Sequence, residues 1–495
     1  MTVVSVRSFC AAFLILLMWA TRAPAQTASP WLPADHWSVA AVGRLDALGL
    51  LPPFDATARQ HTSVRVAMLL REAVRAAVAL GPGSDAALRL AEGYERRFAE
   101  EWPHAFARAV SAEGAYLATS VASGLVVREN ARLAGGYTPD RDWTGPRPLR
   151  DTRSAGGAVH AGGAAGRHIA ATVSATGAGA VWCVTQLALD VTAGPAGVWI
   201  GRRAPGYSPS RGGGLVLDGA VAFEGSGVYT LRPLRVPILG GLEGELFGGR
   251  VDRNGFVDRP WFMAMRAHVS PHARLSVGAT RAAVFGGMNG SSVGPRQLAE
   301  VLVGANLAGD YADDQVASID ARWRLPTRLP LQLYAEWGMH DADPGVLFVM
   351  PSFSVGAWLP ALPFAPALAV GIEHTRIARS CCNNPPWYRH FELAEGWTEG
   401  GVPIGHPLGG HGHEWRARIS GAPLDARLLL DASIILRNRG EENLSAPERG
   451  GDAAGVEATL DARITGWLSL DAAMRIEDGT GWRETHAAAR LRAHF

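Results

Sequence analysis

The chain contains no lysine, few cysteines and no long apolar run beyond its first 25 residues. All 47 basic residues are therefore arginine, which we attribute to a GC-rich coding bias rather than to function. Against 46 acidic residues they leave a net charge of +1, which argues against bulk attraction to nucleic acid. The lack of about 18 consecutive apolar residues excludes transmembrane helices after residue 25. Arginine forks bind carboxylates and planar polar groups, so arginines that line an interior space of the protein would suit an anionic or sugar ligand.

Three of the four cysteines follow residue 25: Cys183, Cys381 and Cys382. An odd count at irregular spacing gives no disulfide framework, and no C-x-x-C pair indicates zinc. We interpret the adjacent Cys381 and Cys382 as free or partly oxidised thiols in a loop. The sequence therefore predicts neither a metal site nor a cofactor.

Residues 1–25 have the three parts of a secretory signal peptide. Arg7 is the only charge before an apolar run from Phe9 to Ala20, and an A-x-A cleavage site ends at Ala25. The run is shorter than the ~20 residues that a membrane anchor needs. The sequence therefore predicts an exported chain that is cleaved after residue 25.

The next hundred residues show helical periodicity. Apolar residues recur at helical spacing in Val64–Leu80, before the breaker Gly81–Gly83, and again from Asp85 to about Trp102. We predict a periplasmic helical bundle over residues 26–126. A separate soluble domain on a flexible linker is the alternative interpretation.

Period-2 alternation dominates residues 127–495. Apolar side chains alternate with polar or small ones in Leu331–His340 and Val456–Ile464, and the charges of both segments fall on the polar phase. This segregation is expected where a charge facing lipid costs roughly 2–4 kcal/mol. A soluble β-sandwich also alternates, with its polar face outward. At about 10 residues per spanning strand plus loops, we predict an antiparallel outer-membrane β-barrel of about 16–18 strands.

The last nine residues favour the barrel over the sandwich. In this stretch one side of an extended strand carries Ala487, Ala489, Leu491, Ala493 and Phe495, and the other carries Ala488, Arg490, Arg492 and His494. A closing barrel strand also explains why the chain ends on an aromatic residue. We predict that Phe495 is the assembly signal recognised by the barrel insertion machinery.

Four stretches occur in an order that resembles the Wzi-type capsule assembly proteins: Gly197–Tyr207, Gly212–Leu217, Ser318–Pro326 running into Leu333–Trp337, and Gly401–Gly410. Leu45–Leu51 is also similar to that family's opening helix. The resemblance implies an outer-membrane barrel whose periplasmic side is closed by a helical bundle. It implies a role in holding or organising capsular or other surface polysaccharide without catalysis. Its further expected partners are outer-membrane lipid and lipopolysaccharide.

Aromatic faces and arginine forks are the side chains that we expect to hold sugar. The stretch after Pro385–Pro386 is irregular and is expected to form a loop of about 25 residues outside the cell, since the extracellular loops of such barrels are the long ones. The arginines are expected in the lumen. The candidate polysaccharide contacts are Arg202, Arg203, Tyr207, Arg322, Arg324, Trp387 and Trp397.

Other chemistry is less well supported by the sequence. His406, His411, His413 and Glu414 lie close together, but we interpret the glycines around them as a mobile turn rather than a metal site. No G-x-S-x-G or P-loop motif is present, so we predict no enzyme. A porin or substrate-specific channel is the alternative function, and the discriminating property is whether the lumen is open.

Overall fold

The computed structural model describes residues 27–33, 36–81, 84–110, 115–129, 152–178, 181–251, 257–287, 294, 313–327, 329–340, 352–379, 387–389, 393, 396–399, 402–445 and 449–495. The predicted signal peptide, Cys381 and Cys382 lie outside the described residues.

Four helices precede the sheet in the described part of the chain: α1 (Ser38–Ala47), α2 (Ser63–Ala79), α3 (Asp85–Glu101) and α4 (Pro103–Val110). α2 buries an apolar stripe that includes Val66, Leu70, Ala73 and Ala77, at the spacing of one helical face. Gly81 adopts a φ of +76° just beyond its end, where a glycine stops a helix. Among the described residues, no helix is both long and apolar enough to cross a membrane.

The helices share one core with the edge of the barrel. Leu45, Leu70 and Phe98 are buried at its centre, and the barrel residues Ala118 and Ala422 belong to the same cluster. Burial of this apolar surface, at about 25 cal/mol per Å², holds the helices onto one rim of the barrel.

The rest of the described chain is mainly β-strand. The strands are β1 (Ala115–Glu129), β2 (Thr152–Ala165), β3 (Ile169–Ala178), β4 (Val181–Ala193), β5 (Ala196–Arg203), β6 (Gly206–Tyr207), β7 (Leu217–Asp218), β8 (Phe223–Thr230), β9 (Leu234–Val236), β10 (Gly240–Arg250), β11 (Trp261–His272), β12 (Leu275–Phe285), β13 (Asp313–Arg324), β14 (Gln332–His340), β15 (Ser352–Leu359), β16 (Leu368–Ile377), β17 (Thr398–Glu399), β18 (Val402–Pro403), β19 (Gly412–Gly421), β20 (Leu428–Arg439), β21 (Gly451–Arg463), β22 (Leu468–Gly479) and β23 (Trp482–His494).

Eighteen of these strands close into one antiparallel barrel in the described structure. β1 pairs with β2 on one side and with β23 on the other, and this last pairing closes the sheet. The short strand β9 pairs only with β10, and β6–β7 and β17–β18 form small separate ribbons. The predicted fold is confirmed, and the strand number is within the predicted range.

Side chains alternate across the barrel wall as the sequence predicts. On β13 and β14, Trp323 and Trp337 are exposed on the outer face, whereas Arg322 and Glu336 are buried inside. On β23, Leu491 is exposed and Arg490 is buried. The charges therefore point into the lumen, which is the reverse of a soluble β-sandwich.

The boundary between helices and barrel lies earlier than predicted. The first barrel strand begins at Ala115 rather than after residue 126, and α4 already ends at Val110. The residues Ala115–Glu129 are rich in alanine, serine and glycine, so the alternation of this strand is weak in the sequence. The predicted boundary between residues 126 and 127 is wrong for this reason.

The two rims of the barrel differ. β1 begins and β23 ends at the rim that carries the helices, which we call the helix-side rim; the opposite one is the loop-side rim. Phe495 follows β23, and its backbone exchanges two hydrogen bonds with Thr119 of β1 (2.8 and 3.1 Å). Its ring is 73 % exposed on the outside. The terminal residue thus completes the seam of the barrel without packing into a core.

Candidate functional site

Residues 204–222, which connect β5 to β8, run inside the barrel, and we call them the lumenal segment. Leu215, Val216 and Leu217 at its centre are buried. The glycines seen in the sequence allow this path. Gly213 adopts a φ of +149°, and a Cβ there would lie 2.3 Å from Cδ of Pro407. The lumenal segment therefore fills space that an open channel would leave to water.

Buried carboxylates of the barrel wall hold this segment in place. Glu336 accepts hydrogen bonds from the Ser208 hydroxyl (2.6 Å) and the backbone N–H of Leu215 (3.2 Å). Glu373 accepts from the backbone N–H of Gly212 (3.0 Å). Carboxylate bonds to backbone N–H groups are among the stronger protein hydrogen bonds. These acids therefore act as anchors.

A second layer covers the lumenal segment near the loop-side rim. It consists of the described residues between 387 and 411, which we call the cap. The Tyr388 hydroxyl donates to the carbonyl of Leu215 (2.5 Å), and the Trp397 ring N–H donates to the carbonyl of Val216 (3.3 Å). The side chains of Trp387, Tyr388 and Trp397 are all 0 % exposed. The cap and the lumenal segment therefore form one packed unit.

This burial corrects the expectation for the loop after Pro385–Pro386. Trp387 and Trp397 were predicted to contact polysaccharide outside the cell, but neither ring has surface open to a ligand. Both rings belong to the apolar cluster that includes Leu215 and Val216. Burying this large aromatic area lowers the free energy more than exposing it to water at a loop tip would.

The predicted arginines also have structural partners. Arg203 is buried, pairs with Glu245 (2.9 Å) and lies 3.4 Å from the centre of the Trp31 ring. The hydroxyl of Tyr207 donates to the same Glu245. Arg202, near the end of β5, lies on the same outward face as Ile200. The expectation that Arg202 points into the lumen is therefore wrong.

Arg322 and Arg324 hold helix α1. Arg322 pairs with the Asp46 carboxylate (3.0 Å), and Arg324 donates to the Asp46 carbonyl (2.6 Å). Cations near a helix C-terminus are favourable because the last carbonyls there lack helical partners. These two arginines therefore fix the helices to the barrel, and Arg322 keeps only 7 % of its surface exposed.

The N-terminal segment before α2 meets the lumenal segment directly. The backbone N–H of Ser208 donates to the carbonyl of Thr57 (3.1 Å). Next to this contact, the Asp55 carboxylate accepts a hydrogen bond from Nε of Arg266 (3.0 Å). Arg266 also donates to the Asp320 carboxylate. Burial alone would raise the pKa of Asp55, but the charges of Arg266 and His268 hold it well below its ordinary value. Cap, lumenal segment and helical region are thus joined across the whole barrel.

Toward the loop-side rim, the inner wall of β19 to β23 carries a ladder of buried ion pairs. The pairs are Arg416–Glu457 (2.7 Å), Arg437–Glu414 (2.8 Å), Arg439–Glu477 (2.9 Å) and Arg449–Glu484 (2.7 Å). Each acid of these pairs has an arginine within salt-bridge distance. The ladder therefore fills this side of the lumen with paired rather than free charge.

Below the ladder the wall becomes hollow. Cross-strand pairing places one inward row of mostly small side chains on five neighbouring strands: Ser420, Asp431, Thr459, Ala473 and Ala488. A cavity of about 390 Å³ lies between this row and the Val39–Ala40 face of α1. Ligand pockets in proteins commonly measure about 300–1,000 Å³. We call this cavity the lumenal hollow.

Arg211 of the lumenal segment borders the lumenal hollow. Its guanidinium stacks on the Trp358 ring at 4.0 Å, and among the described residues it has neither a hydrogen-bond nor an ion-pair partner. Burial, together with the neighbouring Arg418 guanidinium, lowers the pKa of Arg211 to about 9. The acids around the hollow have their own arginines, as in Arg418–Asp431 and Arg490–Asp471. A cation in this position favours a negative ligand.

The histidine cluster of the sequence does not converge. His406 is buried within the cap, where its backbone N–H donates to the Tyr388 hydroxyl (2.9 Å). His413 points outward, and Glu414 points inward to Arg416 and Arg437. The described residues contain no group of three or more His, Cys, Asp or Glu side chains arranged to hold a metal.

Sequence reasoning missed Arg211, Trp358, Glu336 and Glu373. Glu336 and Trp358 sit on alternating segments, so their inward direction was readable from the pattern. Their partners were not, because Glu336 binds residues more than a hundred positions away. The glycine run at 212–214 was the one local signal that the chain approaches other backbone closely here.

The architecture defines a closed antiparallel barrel whose lumen is occupied by its own chain. The chain belongs to the Wzi capsule assembly family, since the model "Capsule assembly protein Wzi" matches residues 228–489. A solved Escherichia coli structure is described as Wzi, an outer membrane protein involved in group 1 capsule assembly and a carbohydrate-binding β-barrel. It is 14 % identical, with 94 % of this chain and 100 % of that chain covered and a TM-score of 0.72.

Two further solved structures match at lower similarity. Pseudomonas aeruginosa OprD is 10 % identical over 78 % of this chain and 97 % of its own, with a TM-score of 0.45. Acinetobacter baumannii OccAB4 is 9 % identical over 78 % and 99 %, also with a TM-score of 0.45. A comparison with curated protein sequences found no match.

Proposed function

We propose that this protein is a non-catalytic, lectin-like outer-membrane barrel that attaches or organises capsular or other surface polysaccharide. Membership of the Wzi capsule assembly family carries the proposal. The fold shared with a barrel described as carbohydrate-binding supports it. The chemistry of the interior agrees with a role outside catalysis. Glu336 and Glu373 hold backbone N–H groups, and the acids of the ladder hold arginines.

The occupied lumen favours attachment over transport. A porin or substrate-specific channel needs a continuous aqueous path, whereas the lumenal segment, the cap and the ion-pair ladder lie across this one. Opening an aqueous path through this lumen would require breaking buried hydrogen bonds and the apolar cluster around Trp397. We therefore regard the channel as the weaker candidate.

The proposed orientation places the loop-side rim outside the cell and the helix-side rim in the periplasm. Export by the signal peptide at residues 1–25 would deliver the chain to the periplasm. The outward apolar side chains, such as Ile200, Ile372 and Ile434, would then contact outer-membrane lipid and lipopolysaccharide.

The experiment that tests this function measures where the polysaccharide goes. In the source bacterium, deleting the gene is expected to move surface polysaccharide from the cell-bound fraction into the medium, because its attachment is lost. Total polysaccharide should stay the same. Expression of the intact chain should restore the cell-bound fraction. An unchanged distribution in the deletion strain would contradict the proposal.

Phe495 is proposed to act in assembly rather than in stability. Because its ring is exposed, Phe495→Ser is expected to lower the amount of folded barrel in the outer membrane while leaving the unfolding temperature of the purified barrel unchanged. Phe495→Tyr, which keeps an aromatic end, is the matched control and should assemble normally. The measurement is the heat-modifiable folded band on gels. Equal folded amounts for the serine variant would refute the role.

A further inference from the structure

We propose that the lumenal hollow is a binding site for a single acidic sugar unit, a uronic acid or a similar hydroxylated carboxylate. The inference rests on the proposed polysaccharide function, since it names the kind of sugar that the barrel recognises. It does not rest on the residues predicted from the sequence, which have other partners.

Charge is the first argument. Arg211 is the guanidinium at the hollow that neither an acid nor a carbonyl of the described residues neutralises. Arg44 and Arg59, by contrast, donate to carbonyls of Pro360 and Ser210. A carboxylate in the hollow would give Arg211 the partner it lacks, and arginine forks match the geometry of carboxylates. Stacking on Trp358 keeps the guanidinium plane fixed, which lowers the entropy cost of binding.

Hydroxyl chemistry is the second argument. The side-chain hydroxyls of Ser420, Ser433 and Thr459 line the hollow, and among the described residues none has a hydrogen-bond partner. Sugar hydroxyls can both donate to and accept from such groups. The hollow therefore combines one unpaired cation with three unused hydroxyls, which suits a ring bearing a carboxylate and several hydroxyl groups.

Shape is the third argument. The hollow exists because Ala473 and Ala488 are small where the neighbouring inward row carries Glu457 and Arg475. The facing helix α1 presents Val39 and Ala40, and Ala40 is exposed toward this space. An apolar helix face can lie against the C–H face of a sugar ring. The volume limits the ligand to a small one.

The test titrates the purified full-length barrel with glucuronate, glucose and inorganic phosphate by calorimetry. Glucuronate is expected to bind more tightly than either other probe. Arg211→Gln should lower the affinity for glucuronate about tenfold or more, because a hydrogen bond between two charged groups is lost. Ala473→Phe should abolish binding by filling the hollow. Ala472→Phe is the matched control, because Ala472 neighbours Ala473 on β22 and its side chain points outward. A second control, Arg75→Gln, removes an exposed arginine on α2. Both control variants should bind glucuronate normally.

Each other outcome overturns the site. Equal binding of glucose would exclude recognition of the carboxylate, and equal binding of phosphate would leave a simple anion site. Normal glucuronate binding by Arg211→Gln or Ala473→Phe, with the folded band intact, would place the ligand elsewhere. A chain that retains polysaccharide on cells but does not bind glucuronate refutes the hollow alone. A chain that binds glucuronate but does not retain polysaccharide refutes the proposed function alone.

Discussion

Removing residues 207–217 is expected to turn an electrically closed barrel into a conducting one. Gly206 and Asp218 pair across the β6–β7 ribbon, so a short glycine linker can join them without stretching the chain. The deletion takes out Leu215 and Val216, whose carbonyls hold the cap. Two of the obstacles to ion flow, the lumenal segment and the cap that covers it, are therefore lost together. Single-channel recording in a planar bilayer should show at least about a tenfold rise in conductance over the intact protein.

The control for this deletion leaves the lumen untouched. Ile238 lies in the β9–β10 turn on the helix-side rim and is 95 % exposed. Replacing Ile238 and Leu239 by glycine should leave the barrel as closed as the intact protein. Large conductance steps of the intact protein would support the channel alternative. A deletion variant that stays insulating would show that the helices and the ladder alone close the lumen.

Arg266→Met is expected to destabilise the protein by about 3–5 kcal/mol, because it leaves two buried carboxylates without their shared cation. Arg266 binds both Asp55 of the N-terminal segment and Asp320 of β13, and all three side chains are buried. The loss should loosen the helical region from the barrel. The measurement is the midpoint of heat-induced unfolding in detergent, combined with limited proteolysis of the helices.

Two comparisons make this prediction specific. Arg75→Met removes an exposed arginine that pairs with Glu72 on α2, so it should cost at most about 1 kcal/mol. Neutralising both acids as well, with Asp55→Asn and Asp320→Asn, should recover much of the loss in Arg266→Met. An Arg266→Met protein as stable as the intact one would mean that the Asp55 contact does not hold the helical region.

The same carboxylate gives the expected sign of the acid response. The pKa of Asp55 is lowered in the folded state, so its contribution to stability is present above the ordinary value of about 4 and is lost as the pH falls below it. Asp55→Asn, which cannot titrate, should therefore show a weaker dependence of stability on pH below about 4.

The fold was largely predictable from the sequence because its signals are local. The alternation in Leu331–His340 and Ala487–Phe495 follows from the pleat of a strand, and any lipid-facing wall enforces it. The periodicity in Val64–Leu80 likewise reports one buried helix face. The weak alternation of Ala115–Glu129 shows the limit, since small residues carry little phase information.

The interior was less predictable because its contacts join distant parts of the chain. The sequence indicates that Arg203 and Arg322 point inward, but not that Glu245 and Asp46 meet them there. Trp397 follows a Pro-Pro stretch that is typical of an exposed loop. Its burial depends on the lumenal segment, which lies some 180 positions earlier. Such pairings follow from the closed barrel as a whole and from no local pattern.

The most direct test of the central claim is a binding titration between the protein in lipid nanodiscs and purified surface polysaccharide from its own bacterium. We predict saturable binding that nanodiscs without protein do not show, and no hydrolysis of the polysaccharide during the measurement. A correctly folded, heat-modifiable barrel that shows no binding at any polysaccharide concentration would contradict the proposed function.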